Sequence, residues 1–355
     1  MTPVRATWLT GDVVIRLAAG RVSLKLGRRT VLACVVLVLA VPGLVLGALC
    51  VGTFAIAPAD ALDALLVSTS RHIRLLVVDW RLPRVAGALL AGAALGMAGA
   101  LFQTLLRNPL GSPDVLGFDA GAFTGALLTI LAGAAPFTVA LAGFGGGLLA
   151  GFTVLLCAGR AHGVTSRIVV IGIAVGALFT AINDWIILTA RLDTALAAAS
   201  WRMGSLAGME WAKLSQAGAL LLFLMPLALG CARPLSALAL GEERAASLGL
   251  EPDRARLAIA ILGLALTATA TFLAGPIGFV ALIAPQLARL LAGGGGAPLL
   301  ASALSGALFL LASDVTGRLL FAPRAIPAGA MTAAIGGVYF VALLRWRRAS
   351  TEGCR

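Results

Sequence analysis

Residues 85–106 form a run of 22 mostly apolar residues, and at about 1.5 Å per residue a helix of that length crosses the roughly 30 Å hydrocarbon core of a bilayer. Arg107-Asn108-Pro109 closes the run with a turn signal, and a second Gly-rich apolar run opens at Val115. Two such runs joined by a short polar turn read as a membrane hairpin. Further apolar runs at 31–51, 137–158, 168–190, 214–231, 257–274, 277–291, 298–312 and 327–344, with the hairpin's 85–106 and 115–131, predict ten spans. The expected fold is all-α, a polytopic membrane protein of about ten transmembrane helices.

Composition enters where soluble alternatives must be excluded. The chain is 60% hydrophobic and only 12% charged, against roughly 25% charged in an average soluble domain. A net charge of +12 invites a nucleic-acid reading, but the bases lie between apolar runs and no basic stretch carries interleaved aromatics, so topology explains them. An even number of spans puts both termini on one side. With the N-terminus inside, two thirds of the 27 Lys and Arg residues fall on inner segments, so both termini are expected to be cytoplasmic. Residues 1–29 form a basic N-terminal extension, 30–347 the transmembrane unit and 348–355 a cytoplasmic tail. The apolar run at 31–51 exceeds the 7–15 residues of a signal-peptide core, so an uncleaved first helix is expected.

Metal and enzyme chemistry find little support. Cys34, Cys50, Cys157, Cys231 and Cys354 show no C-x-x-C spacing, and His72 and His162 lie far apart. Neither a disulfide framework nor a metal site is implied. The glycines at 143 and 145–147 lie inside an apolar run, and no G-x-x-x-x-G-K-[ST] occurs, so the chain is not expected to bind ATP or to need a cofactor. Gly117, Gly121 and Gly125, Gly143, Gly147 and Gly151, and Gly172 and Gly176 recur at the spacing that lets membrane helices approach closely.

Three groups of polar residues need a role. Gly241-Glu242-Glu243-Arg244-Ala245-Ala246-Ser247-Leu248-Gly249 reads as a short helix with acids in its first turn, where the helix dipole favours them, and a glycine stop. It lies in a loop at about 234–252, within Arg233 to Arg256, the most charged internal stretch. Arg81, Arg84, Arg318 and Arg324 break the charge rule on the outer side, either as helix-end anchors or as a cationic face for an acidic partner. Gln103, Asn183 and Asp184 are costly inside a span. They are candidates for a translocation path, with interfacial hydration open for Asn183 and Asp184, and bonding across helices open for Gln103.

Several islands together resemble one family. W-R-L-P-R-V at 80–85, F-Q-x-L-x-R-N-P-L-G-S-P-D-V-x-G-F at 102–118, W-R-M-G-S-L-A-G at 201–208, A-G-P-I-G-F-V-A-L-I-A-P at 274–285 and S-D-V-T-G-R-L-L at 313–320 are similar to the FecCD family of ABC-importer permeases for iron-siderophores, haem and cobalamin. The resemblance implies a ferric siderophore as cargo, of the catecholate type, with haem or cobalamin as alternatives, in a bacterial cytoplasmic membrane. It implies separate ABC ATPase subunits, an extracytoplasmic substrate-binding protein, and a second permease subunit, identical or paralogous. It gives Gly241, Glu242, Glu243, Arg244, Ala246, Leu248 and Gly249 an ATPase-coupling role and Arg81, Arg84 and Arg318 a docking role, with Arg324 added on local grounds. Gln286 stands where the family usually has His, and Asp184 replaces an uncharged residue. An ion-coupled secondary transporter is the rival of another class. It calls for broken helices and paired acids near the midplane, and the predicted spans show no membrane-centred carboxylate pair.

Overall fold

The computed structural model describes residues 12–17, 22–52, 54–66, 70–159, 164–293, 298–320 and 325–352. Seven described helices are long and apolar enough to cross a membrane, and three shorter apolar helices join them. The ten coincide with the ten predicted runs. In chain order the helices are α1 (Arg28–Cys50), α2 (Pro58–Leu66), α3 (Arg71–Arg74), α4 (Leu82–Leu105), α5 (Phe118–Leu131), α6 (Pro136–Ala158), α7 (Val164–Thr189), α8 (Leu192–Arg202), α9 (Trp211–Gly230), α10 (Ala232–Ala239), α11 (Glu242–Ser247), α12 (Pro252–Ala274), α13 (Val280–Ala292), α14 (Leu299–Leu320) and α15 (Ala328–Glu352). Ahead of them, β1 (Asp12–Leu17) and β2 (Val22–Gly27) pair antiparallel within the basic extension. The membrane body is all-α, and the hairpin is an addition that the basic composition of 1–29 had obscured.

α4 is the centre of the molecule, packed by α14, α12, α13 and α9. Its sequence dictates this. Gly92, Gly96 and Gly99 let neighbouring backbones reach the helix surface, and a Cβ at Gly99 would lie 1.8 Å from the Ala281 carbonyl oxygen. Between lipid-soluble helices such close approach is a main source of association. The predicted ridges behave alike: a Cβ at Gly125 would lie 2.2 Å from Ala142 O, which joins α5 to α6. In contrast to α4, whose most apolar window is 78% buried, only 11% of the corresponding α7 window is buried.

Three boundaries move. The segment between the first two predicted runs contains α2, α3 and a wider turn, 75–81, wound with i→i+5 bonds, that leads straight into α4. Val77 is fully buried there, and its carbonyl accepts from Leu82 N–H, so the winding is continuous up to Pro83, which has no N–H of its own. The ninth span runs to Leu320 rather than 312. Ser313 and Thr316 return their hydroxyls to the Phe309 and Ala312 carbonyls, so the polar end stays helical. α15 likewise continues through the basic tail to Glu352.

The predicted break at Gly275-Pro276 is present. α12 ends at Gly275, φ 74°, and α13 begins only after Phe279, φ 67°. The carbonyls stranded at this end are met from the 202–213 segment: Ser205 N donates to Ala274 O at 2.7 Å and Lys213 Nζ to Leu273 O at 2.9 Å. Gly204, φ 62°, is required there because a Cβ would lie 2.2 Å from Pro276 O. The W-R-M-G-S-L island is thus the plug of the α12 break.

Candidate functional site

A cavity of about 790 Å³ lies beside this break. Asp114 and Asp119 reach it from the turn before α5 and from the first turn of α5, and Phe123 lies one helical turn further on. α7 contributes Thr180 and Asn183, and the end of α8 contributes Arg202. Arg202 places its guanidinium 5.3 Å from the Phe123 ring centre, which in turn stacks with Trp201 at 6.2 Å. Asn183 is buried and donates to Ala120 O at 3.0 Å, while its Oδ1 has no partner. An orphaned buried acceptor on a cavity wall suits a ligand or water.

Of the three predicted path residues, Asn183 alone lines this cavity. Asp184 is exposed, turned about 100° away by the helical period. Gln103 is buried between α4 and α13, where Nε2 donates to Leu282 O at 2.9 Å and Oε1 accepts from Arg289. Sequence reading passed over Asp114, Asp119 and Arg202. Asp114 and Asp119, in S-P-D and G-F-D at the edge of a run, both line the cavity wall.

A second constellation gathers the outer arginines. Arg84 grips Asp314 with Nη2 at 2.7 Å and Nε at 3.1 Å, and Arg318 approaches the same carboxylate at 3.1 Å, as its i,i+4 spacing predicts. Arg318 Nη1 also donates to Val51 O at 2.9 Å, and Arg81 donates to Leu49 O at 2.6 Å and to Phe54 O. Arg81 and Arg318 therefore cap carbonyls at the C-terminal end of α1, where the last carbonyls have no partner within the helix. Arg81, Arg318 and Asp314 are largely buried and Arg84 partly so. Arg324 lies outside the described residues.

The third constellation is at the other end of α4. The expected short helix is α11, with Glu242 and Glu243 in its first turn and Gly249 in the left-handed region at φ 81°. Ala245 is buried against the body, whereas Leu248 is exposed. Glu242 pairs with Arg256 at the start of α12, and α10 buries Leu235 and Leu238 beneath. Arg107 reaches from the end of α4 to the Leu238 carbonyl at 2.7 Å. Gln286, which departs from the family's usual His, donates to Pro109 O at 3.1 Å and holds the same turn.

Comparison with known proteins fits this architecture. The ferric enterobactin transport system permease protein FepG of Escherichia coli K12 is 41% identical over 318 residues, 89% of this chain and 96% of that protein. The Fe(3+) dicitrate transport system permease protein FecD of the same strain is 37% identical over 272 residues, 76% of this chain and 84% of the relative. Among solved structures, an inward-facing metal-chelate type ABC transporter superposes with a TM-score of 0.79 at 26% identity, covering 88% of this chain and 98% of that one. The model of the FecCD transport family matches residues 36–346, and the chain therefore belongs to the FecCD transport family, as a transporter permease and not itself an enzyme.

Proposed function

We propose that this permease carries a ferric siderophore of the catecholate type inward across a bacterial cytoplasmic membrane, driven by a partner ATPase. The observation that carries the cargo class is the 41% identity, along nearly the whole of both chains, to a protein named for ferric enterobactin, a catecholate chelate. The cavity supports it with room for a bulky cargo and with a cation seated on an aromatic ring. Two permease subunits, identical or paralogous, enclose the path, and the sparsely buried α7 supplies an apolar face for the second. Asn183 and the cavity around it belong to that path.

The 232–250 segment meets the ATPase. Leu248 and Glu243 are its exposed features, while Arg107 reaches it from α4 and the Glu242–Arg256 pair ties it to α12. Motion of α10 and α11 on nucleotide closure is thereby delivered to the two most buried helices. On the opposite side, Arg84 and Arg318 share the one carboxylate of Asp314 while Arg81 is held by carbonyls, which leaves an excess of positive charge to receive acidic residues of a substrate-binding protein. The cargo and its binding protein shift the access equilibrium only through their different affinities for the two states.

The test is transport by the reconstituted complex of labelled ferric catecholate, ferric hydroxamate, ferric citrate, haem and cobalamin. Preferred uptake of the catecholate is expected. Uptake of another cargo with the catecholate excluded refutes the assignment.

A further inference from the structure

The buried arginines raise a geometric problem for docking. A partner's carboxylates cannot reach Arg318, whose side chain is 8% exposed, while its guanidinium stays against Asp314 and the end of α1. Resting on the docking role proposed for these arginines, we propose that Asp314 is an internal stand-in for the partner's carboxylate, and that docking exchanges it, together with the α1 carbonyls, for acidic side chains of the binding protein. The docking surface is therefore closed on itself in the free permease, and engagement opens the junction of α1, α4 and α14.

Four observations carry this. Asp314 is 1% exposed and is shared by Arg84 and Arg318, so a single carboxylate answers two guanidiniums from two helices. Arg318 Nη2 is buried with no hydrogen-bond acceptor, a donor of the kind a further carboxylate oxygen satisfies, since guanidinium forks take carboxylates in bidentate geometry. The other acceptors in use are the carbonyls of Ala48, Leu49, Val51 and Phe54. These sit at the end of α1, where water can satisfy them once the junction opens. The seat is also tight: a Cβ on Gly52 would lie 2.8 Å from Arg81 Nη2, so the guanidinium keeps its place only because residue 52 has no side chain.

Replacing the backbone carbonyls by partner carboxylates favours the docked state, because a guanidinium bonds an ionised acceptor more strongly than a neutral one. Asp314 sets the threshold. It holds the arginines against weak or singly charged competitors and yields to a surface that presents two or more carboxylates together.

The native Cys50, between the bonded carbonyls of Leu49 and Val51, reports on the junction. The experiment uses the permease with its ATPase in nanodiscs, Cys34, Cys157, Cys231 and Cys354 replaced by Ala, and the binding protein of the same import system loaded with ferric catecholate. Alkylation of Cys50 by a polar maleimide should accelerate about fivefold on docking, as expected when a local opening governs access. Asp314→Asn should give the faster rate without the binding protein, and Gly52→Ala, which crowds the Arg81 guanidinium, should do so if Asp314→Asn fails to fold. Salt-sensitive docking, lost on reversing Arg81, Arg84 and Arg318 to Glu, with Cys50 labelling unchanged by docking, overturns the exchange and leaves the docking reading standing. Docking that ignores both salt and the triple reversal removes the docking reading and the exchange with it.

Discussion

Gly99 shows how much one missing Cβ decides. Its surface is in contact with the Ala281 backbone, and an added methyl would stand 1.8 Å from that carbonyl oxygen, whereas the same addition at Gly145 meets nothing within 4 Å. Overpacking a well-filled core costs about 1–3 kcal/mol, and more where only backbone can yield. Gly99→Ala is therefore expected to lower the melting temperature in detergent by several degrees and to reduce the yield of folded permease, while Gly145→Ala leaves both unchanged. Equal behaviour of the two variants would show that α4 does not depend on the contact. This residue also marks a limit of sequence reading. Spacing alone revealed the glycine ridges at 117–125 and 143–151, but the tighter ridge at 92–99 is diluted among alanines, and a pattern does not say which small residue faces a backbone. Asp114 and Asp119 were hidden for a related reason: they stand at run edges, where an acid ordinarily meets water, and only the turn at 113–116 aims them at a cavity. The partnership of Asp314 with Arg318 was visible at i,i+4, but Arg84, 230 residues away, was not.

At the scale of elements, α11 joins the two ends of the proposed mechanism, and its short length makes it testable. Proline at Ala246 removes an N–H from a helix of six residues and breaks it, yet Ala246 is exposed and the membrane body does not rest on it. Ala246→Pro should reach the membrane in normal amounts while binding the ATPase poorly and supporting little stimulated hydrolysis. Leu248→Asp, at a side chain 68% exposed, should weaken ATPase association without lowering the melting temperature. ATPase pull-down and hydrolysis stimulated by the binding protein measure both, and normal values in the two variants would strip the segment of its coupling role. Sequence reading found α11 because its acids, its apolar side and its glycine stop agree with one another. It missed the widened turn at 75–81 because the run L-L-V-V is bounded by charges that normally signal a loop, and the burial of Val77 is a tertiary effect.

For the whole molecule, what remains to be tested is the direction in which the bundle sits in its membrane. The architecture was legible because lipid imposes a single rule on every span: a run of about 20 apolar residues with its backbone bonds satisfied internally. Orientation follows from a weaker force, the bias of Lys and Arg toward the inner side, and in the expected arrangement the buried arginines at 81 and 318 lie outside and count against that bias. If the three shorter apolar helices cross as the seven long ones can, the number of crossings is even, and one inner and one outer marker test the arrangement. Ser247 ends α11 and Ser200 lies in α8, and both are exposed. With the native cysteines replaced, Ser247→Cys should react with a membrane-impermeant maleimide only in inside-out vesicles, and Ser200→Cys only in right-side-out cells. Reaction of Ser247→Cys from outside would invert the molecule. It would place the 232–250 segment where no ATPase can reach it and turn the cluster of arginines toward the cytoplasm, ending the coupling and docking proposals together.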